Sequence, residues 1–146
     1  MQELLTQLKA AAEETRLRIL AICAFGELTV SEITHILGQS QPRVSRHLKL
    51  LCDAGLLHRF REGTWVFYRR ADEKRSAGPG LVATILAQIP ENDPQYRRDI
   101  QRLAEVRENR QAAADDYFRE NAAEWDRLRS LHVDEAEVED KMLSLV

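Results

Sequence analysis

A run of basic side chains stands out between residues 40 and 70 of this 146-residue chain. The run contains seven arginines and lysines against two acids, a local charge of +5, whereas the whole chain carries −3. Arginine and lysine bind phosphate through their charge and through the hydrogen bonds they donate. Because the excess is confined to one segment of an acidic protein, it indicates a phosphate-binding surface of the kind that nucleic acid requires.

The first part of this basic segment predicts an amphipathic helix. Val44, Leu48 and Leu51 recur at steps of four and three residues, which places them on one face of a helix. Ser40 is a favourable N-cap, a proline fits the first turn, and Gly55 follows where the helix should end. By itself, this pattern does not distinguish a DNA-binding helix from an ordinary surface helix whose polar face contacts water.

The second part of the basic segment predicts a β-hairpin. Residues 56–60 and 64–70 are rich in apolar, aromatic and β-branched side chains, and residues 61–63 between them end in a glycine suited to a tight turn. Charged side chains also protect exposed sheet edges, so the hairpin is compatible with a solvated edge as well as with a phosphate-binding wing. Its basic residues are Arg59, Arg61, Arg69 and Arg70.

Two further helices are predicted upstream, each by an apolar stripe. Thr29 and Glu32 form a T-x-x-E capping box that sets the start of the second of these helices. Gly38 and Gln39 then form a tight turn into the basic helix. Two helices joined by a short turn and followed by a hairpin form a winged helix-turn-helix, whose second helix enters a DNA groove. The two stripes are Leu17, Leu20, Ala21 and Ala24, and Val30, Ile33, Ile36 and Leu37.

Residues 5–70 resemble the winged helix-turn-helix domain of the ArsR/SmtB family of bacterial transcriptional regulators. The segments TRLRIL, ELTVSEI and SQPRVSRHLKLL, followed by AGLL, fall in the order and spacing of that family. The resemblance implies a homodimer that binds an inverted-repeat operator in double-stranded DNA and responds to an inducer. We expect a transcriptional repressor, although a winged helix is also compatible with activation.

The resemblance suggests roles for individual side chains of the basic segment. Gln41, Arg43 and Arg46 are expected to contact base edges, since arginine commonly pairs with guanine. The other candidates are expected to contact phosphates from the helix, or to place the wing along the backbone or the minor groove. They are Ser40, Ser45 and His47 on the helix, and Arg59, Arg61 and Arg69 on the wing.

The thiolate metal site of the family has no counterpart at its usual place. The family pattern ELCVCDL puts two cysteines at the start of the third helix, where this chain has ELTVSEI with Thr29 and Ser31. Neither hydroxyl is a good ligand for a soft metal, and the paired acid and histidine ligands of a second family site have no match either. Cys23 is expected to pack as a small hydrophobe, and a thiol switch that pairs it with Cys52 is the alternative. We therefore expect no metal, no cofactor and no catalytic residue, and the effector stays unknown.

The second half of the chain differs in charge and pattern. Residues 71–146 contain 11 basic and 17 acidic side chains, a charge of −6, and SAGPG at 76–80 predicts a break after the hairpin. A short helix is predicted over 81–89, followed by a long helix from Gln95 to about Leu131. Its apolar positions, spaced by three or four residues, favour a dimerisation helix, and a helix folded back on its own domain is the alternative.

These patterns predict a mainly α chain with a small β-hairpin. We expect a winged helix-turn-helix DNA-binding domain over residues 1–75 and a helical dimerisation region over residues 76–146. No apolar run approaches the about 20 residues of a membrane span, and the acidic amino terminus is unlike a signal peptide. A cytoplasmic protein that binds DNA and a second copy of itself is therefore expected.

Residues 112–146 are similar to the segment that leads into S-adenosylmethionine-dependent methyltransferase domains fused behind ArsR-type domains. The glycine-rich cofactor loop of those domains is absent from this sequence. S-adenosylmethionine or S-adenosylhomocysteine is therefore expected only in a longer fusion, and this chain itself is not expected to be an enzyme. The alternative to a free-standing regulator is a regulatory and dimerising module of such a methyltransferase.

Overall fold

The computed structural model describes residues 1–71 and 80–132, with side chains described through residue 122. Within these ranges the chain forms six helices and three short strands, mainly α as predicted. Most of the predicted break at 76–80 lies outside the described residues. The elements in chain order are α1 (Gln2–Ala11), α2 (Glu14–Cys23), β1 (Leu28–Thr29), α3 (Val30–Leu37), α4 (Gln41–Asp53), β2 (Leu57–Glu62), β3 (Trp65–Arg70), α5 (Leu81–Leu86) and α6 (Pro94–His132).

The chain divides into two compact units, Met1–Val106 and Arg107–Val146. The first unit contains the helix-turn-helix, the hairpin, α5 and the start of α6. The second unit consists, in its described part, of the continuation of α6. The domain boundary predicted between residues 75 and 76 falls in the undescribed stretch 72–79 and stays a prediction. No helix in the described part of the chain is both long and apolar enough to cross a membrane.

The core of the first unit surrounds α2. Ile19, Leu20 and Ile22 are fully buried there, because α3, α4, α5 and β3 all contact this helix. The predicted stripe was too narrow, since it omitted Ile19 and Ile22 and included Ala24, which is exposed. The second half of α2, residues 19–23, is apolar and buried at every position, so a one-sided period does not describe it.

The helix-turn-helix forms as predicted. The Glu32 backbone N–H donates to the Thr29 hydroxyl at 3.2 Å, and the Thr29 backbone N–H donates to the Glu32 carboxylate at 2.9 Å. Gly38 ends α3 with a φ of 67°, a left-handed conformation that glycine adopts without a Cβ clash. A short turn leads into α4, which buries its predicted apolar face. That face consists of Val44, Leu48 and Leu51.

The hairpin belongs to a three-stranded antiparallel sheet with the strand order β1-β3-β2. In β1, Leu28 pairs with Tyr68 and Thr29 pairs with Phe67. The sequence predicted a hairpin alone and missed this third strand. A strand of two residues has no alternating pattern to detect, and its partner lies far along the chain.

The turn of the hairpin begins two residues later than predicted and is one residue shorter. Gly63 and Thr64 connect β2 to β3, and Gly63 has a φ of 63°, as a tight hairpin requires. Arg61 and Glu62, which were assigned to the turn, pair with residues of β3 and extend β2. This assignment was therefore wrong, and the correction places Arg61 at a definite register position in the sheet.

The start of α6 packs within the first unit. Leu103 and Val106 are buried, and Ile100 is partly buried against the same core. The alternative of a helix folded back on its own domain thus describes α6 through Val106. The helix begins at Pro94 and ends at His132, close to the predicted limits, whereas α5 is shorter than the predicted 81–89.

Candidate nucleic-acid interface

α4 presents a polar face opposite its buried one. Gln41, Arg43, Ser45 and Arg46 are exposed, and so is the N-cap residue Ser40, whose hydroxyl makes no capping hydrogen bond. The buried apolar face holds the helix against α2 and α3 while these side chains point outward. The structure therefore brings together the residues expected to contact base edges and two of those expected to contact phosphate.

His47 is placed differently from the other candidates on α4. Its side chain is 13% exposed, with Nδ1 3.9 Å from the Glu13 carboxylate and 3.4 Å from the Arg16 guanidinium. Burial lowers the pKa of His47 below its ordinary 6.5, and nearby arginines lower it further against the opposing effect of Glu13. The ring lies toward the start of α2, where the lowered pKa disfavours its charged form. The phosphate contact expected of His47 stays a prediction.

The strand register divides the wing arginines between the two faces of the hairpin. Residues paired across antiparallel strands point to the same side of the sheet. Arg59 and Arg61 share the face that carries Tyr68, and Arg69 lies on the other face, opposite His58. All three arginines are exposed. The sequence identified the three residues but could not assign their faces, because the position of the turn decides which residues pair.

An aromatic row covers the face of the hairpin that carries Arg69. The rings of Phe60 and Phe67 stack with centroids 5.6 Å apart, and the Arg69 guanidinium lies 5.1 Å from the centroid of Phe60. At the tip of the same face, Trp65 is 62% exposed. The cation–π contact holds the Arg69 side chain along the wing, a constraint that the sequence analysis did not identify.

Two arginines connect α6 to the turn of the helix-turn-helix. The Arg18 guanidinium donates to both carboxylate oxygens of Asp99, at 2.9 and 3.0 Å, and to the Leu37 carbonyl at 3.2 Å. Arg102 donates to the Ile36 carbonyl at 2.9 Å. These carbonyls end α3, where a helix has no backbone donors left to satisfy them. The hydrogen bonds with Asp99 raise the pKa of Arg18. Sequence reasoning missed both connections.

The residues at the two thiolate positions of the family, Thr29 and Ser31, and the two cysteines of the chain differ in burial. Thr29 caps α3, and Ser31 is exposed on its first turn. Cys23 is 2% exposed, and burial raises its pKa to about 12; burial and then Asp53 raise the pKa of Cys52. Thiolates, not thiols, bind soft metals. Among the residues the structure describes, no three or more His, Cys, Asp or Glu side chains are grouped to hold a metal ion.

Comparisons with known proteins place the chain among bacterial regulators. Residues 13–59 match the family described as bacterial regulatory protein, arsR family. The arsenic resistance transcriptional regulator ArsR1 of Pseudomonas putida is 40% identical over 117 residues, which cover 77% of this chain and 88% of that protein. This chain belongs to the arsR family. A further member, the arsenical resistance operon repressor of Escherichia coli, is 50% identical over 62 residues, 42% of this chain and 53% of the repressor.

Solved structures of similar proteins agree with the fold of this arsR-family chain. One is the homodimeric winged helix-turn-helix DNA-binding domain of a possible ArsR-family transcriptional regulator from Mycobacterium bovis. It is 34% identical with a TM-score of 0.51, and the match covers 59% of this chain and 73% of that domain. Reduced HlyU from Vibrio cholerae is 31% identical with a TM-score of 0.50, over 59% of this chain and 83% of that one. The winged helix-turn-helix predicted from the sequence is thus confirmed.

Proposed function

We propose that this arsR-family chain is a sequence-specific DNA-binding transcriptional repressor that acts as a homodimer on an inverted-repeat operator in the cytoplasm. The observation that carries the proposal is the exposed basic and polar face of α4, held on a buried apolar face beside an arginine-bearing hairpin. The similarity to a homodimeric DNA-binding domain supports both the ligand and the assembly. We favour a free-standing regulator over a methyltransferase module, because the relatives named above are regulators, and we propose no enzyme activity.

The contacts are assigned from exposure and position. Gln41, Arg43 and Arg46 are proposed to contact base edges in the major groove. Ser40 and Ser45 are proposed to contact phosphates, and Arg59, Arg61 and Arg69 to place the wing. His47 lies against Glu13 and Arg16. We therefore propose that His47 positions α4 and does not contact a phosphate directly.

Exposed apolar side chains in each unit support the homodimer. On α1, Leu4, Leu5 and Leu8 are 44%, 40% and 39% exposed. On the second unit, Tyr117 and Phe118 are 64% and 69% exposed, on the part of α6 predicted to dimerise. A second copy would remove these side chains from water, which favours association. Analytical ultracentrifugation of the Leu8→Glu and Phe118→Glu variants should show which surface contributes to the dimer. A substitution on a contributing surface should shift the monomer–dimer equilibrium toward monomer.

The effector is proposed to be something other than a soft metal at positions 29 and 31. Thr29 is a capping residue, and the thiols of Cys23 and Cys52 have raised pKa values that disfavour thiolates. Arsenite should therefore leave DNA binding unchanged, although the similar Pseudomonas putida protein is an arsenic resistance regulator. Release of operator DNA by stoichiometric arsenite would contradict this proposal.

Selection of duplexes from a random pool would provide the operator, and fluorescence anisotropy would then measure binding of each variant at several salt concentrations. Arg43→Ala should weaken operator binding by about 1–3 kcal/mol and relax base preference at one position.

Arg61→Ala should weaken binding to all DNA sequences alike and reduce the slope of log K against log salt by about 1. Arg97→Ala, which removes an exposed arginine of α6 outside both α4 and the hairpin, is the matched control and should change neither quantity. Unchanged non-specific binding in Arg61→Ala would refute the wing assignment.

A further inference from the structure

A cleft of about 720 Å³ opens beside the start of α2 in the first unit. Its wall comes from the link between α1 and α2, from α2 itself, from α5 with the loop that follows, and from the first turns of α6. The volume lies within the range of about 300–1,000 Å³ typical of small-molecule sites. Most of the wall is apolar, and an aromatic ring contributes to it. These side chains are Leu17, Ala21, Ile85, Ile89, Pro90 and Tyr96.

The charged groups in the wall are mostly acidic. Four carboxylates line the cleft against one guanidinium, that of Arg18, so the wall has a net charge of −3. Arg18 is already paired with Asp99 through two hydrogen bonds. The net charge of the wall therefore comes from Glu13, Glu14 and Asp93. Carboxylates beside an apolar surface favour a cation and repel an anion, more strongly than they would in open water.

We propose that this cleft binds an organic cation with an apolar body, and that such a cation is the effector of the regulator. The apolar body gains free energy from burial against Leu17 and Ile85, while the charge is attracted by the acidic wall. The Tyr96 ring also lines the cleft, and it is an aromatic group of the kind that makes cation–π contacts. The effector role rests on the proposed function, whereas binding in the cleft does not.

One side chain links the cleft to α4. Glu13 lines the cleft and caps α2 by accepting the Arg16 backbone N–H at 3.0 Å. The same carboxylate lies 3.9 Å from Nδ1 of His47, on the helix proposed to enter the groove. Arg16, whose backbone N–H this carboxylate accepts, also places its guanidinium 3.4 Å from Nδ1 of His47. A cation bound beside Glu13 competes for the carboxylate that holds Arg16, and so changes the contact between Arg16 and α4. Binding in the cleft and binding of DNA are thereby coupled, since the two ligands favour different arrangements of one group.

The test uses two probes of the same shape and opposite charge, tetraphenylphosphonium and tetraphenylborate, with the full chain. Isothermal titration calorimetry without DNA should show one tetraphenylphosphonium per chain, bound at least about tenfold more tightly than tetraphenylborate, a difference of about 1.4 kcal/mol. Raising the salt concentration should reduce the preference. Equal affinity for the two probes, or no saturable binding of the cation, overturns the proposal.

Single carboxylate variants locate the site. Asp93→Asn should weaken tetraphenylphosphonium binding about 3- to 10-fold through loss of one charge. It keeps the fold, because asparagine can still accept the Tyr96 backbone N–H that Asp93 accepts at 2.9 Å. Glu14→Gln should act in the same direction. Glu91→Gln is the matched control, since Glu91 is exposed in the same loop and does not line the cleft. An equal effect of Glu91→Gln would show a general charge effect and overturn the proposal.

DNA binding is measured separately, so that the two proposals fail independently. Operator affinity without a probe tests the proposed function, and the change of that affinity with saturating tetraphenylphosphonium tests the effector role. A probe that binds the cleft and leaves operator affinity unchanged overturns the effector role. If a second copy of the chain occupies the cleft, probe affinity will fall as protein concentration rises through the range of dimer formation, and that result also overturns the proposal.

Discussion

The pair formed by Arg18 and Asp99 should contribute strongly to folding. Asp99 is 2% exposed and Arg18 14%, and the two hydrogen bonds between them are 2.9 and 3.0 Å long. Gln95 donates a third hydrogen bond to the carboxylate, at 2.9 Å. Arg18 also donates to the Leu37 carbonyl. The charges and hydrogen-bonding groups of both side chains are thus well satisfied in the folded state, and removal of either leaves the other without its main partner.

The expected cost follows from this burial. Unit charges about 3 Å apart attract by about 5–6 kcal/mol at an effective dielectric constant of about 20. Desolvation offsets much of that attraction, yet removal of one member of a buried pair costs about 3–5 kcal/mol. Arg18→Met should cost near the upper end, because it leaves the more deeply buried Asp99 carboxylate without its charge partner. Asp99→Leu should cost near the lower end, because Arg18 keeps some exposure and its bond to Leu37.

A double-mutant cycle measures the pair itself. The variant carrying both Arg18→Met and Asp99→Leu should be less destabilised than either single variant, since an apolar pair avoids an uncompensated charge. We expect a coupling free energy of at least about 2 kcal/mol. Urea unfolding followed by circular dichroism should be run at one protein concentration, because the stability of a dimer depends on concentration. Additivity of the two single variants within about 0.5 kcal/mol would refute this account.

Three further outcomes follow from the same structure. Thr29→Ala should cost about 1–2 kcal/mol in urea unfolding through loss of the capping box, and Thr29→Ser should restore most of it. A thiol reagent at pH 8 should modify Cys52 slowly and Cys23 only after unfolding, so two fast equivalents would contradict the burial. His47 has a lowered folded pKa, so the folded state takes up its proton at lower pH than the unfolded chain does. The wild type should therefore lose stability relative to His47→Gln as pH falls below about 6.5, with no such trend above it, and parallel pH profiles would count against the inward placement of the ring.

Most of the helix-turn-helix could be predicted because its signals are local. The capping box joins Thr29 to Glu32, and the left-handed turn is made by Gly38, with no help from distant parts of the chain. The apolar face of α4 follows from a helical period, which holds wherever the helix packs. The family resemblance then suggested the exposed candidates Arg43 and Arg46, and the structure places both at the surface.

The faces of the wing could not be predicted from the sequence. Arg61 and its neighbours alternate between two sides, and a shift of the turn by one residue exchanges them. The turn at Gly63 and Thr64 places Arg59 and Arg61 on one side and Arg69 on the other. The sequence shows that the wing is basic, and only the strand register shows where each charge points.

By itself, the sequence determined the helix-turn-helix, the capping box of α3, the hairpin and the concentration of basic charge, because these depend on residues within a few positions of one another. Tertiary structure decided which distant side chains meet. Arg18 and Asp99 are 81 positions apart, and His47 lies 31 positions from the Arg16 that it contacts. Such pairs follow from how helices pack, and packing depends on the shapes of several elements at once. For this reason the sequence alone predicts the basic helix. The inward placement of His47 and the acidic cleft beside α2 depend on tertiary packing, and only the folded structure shows them.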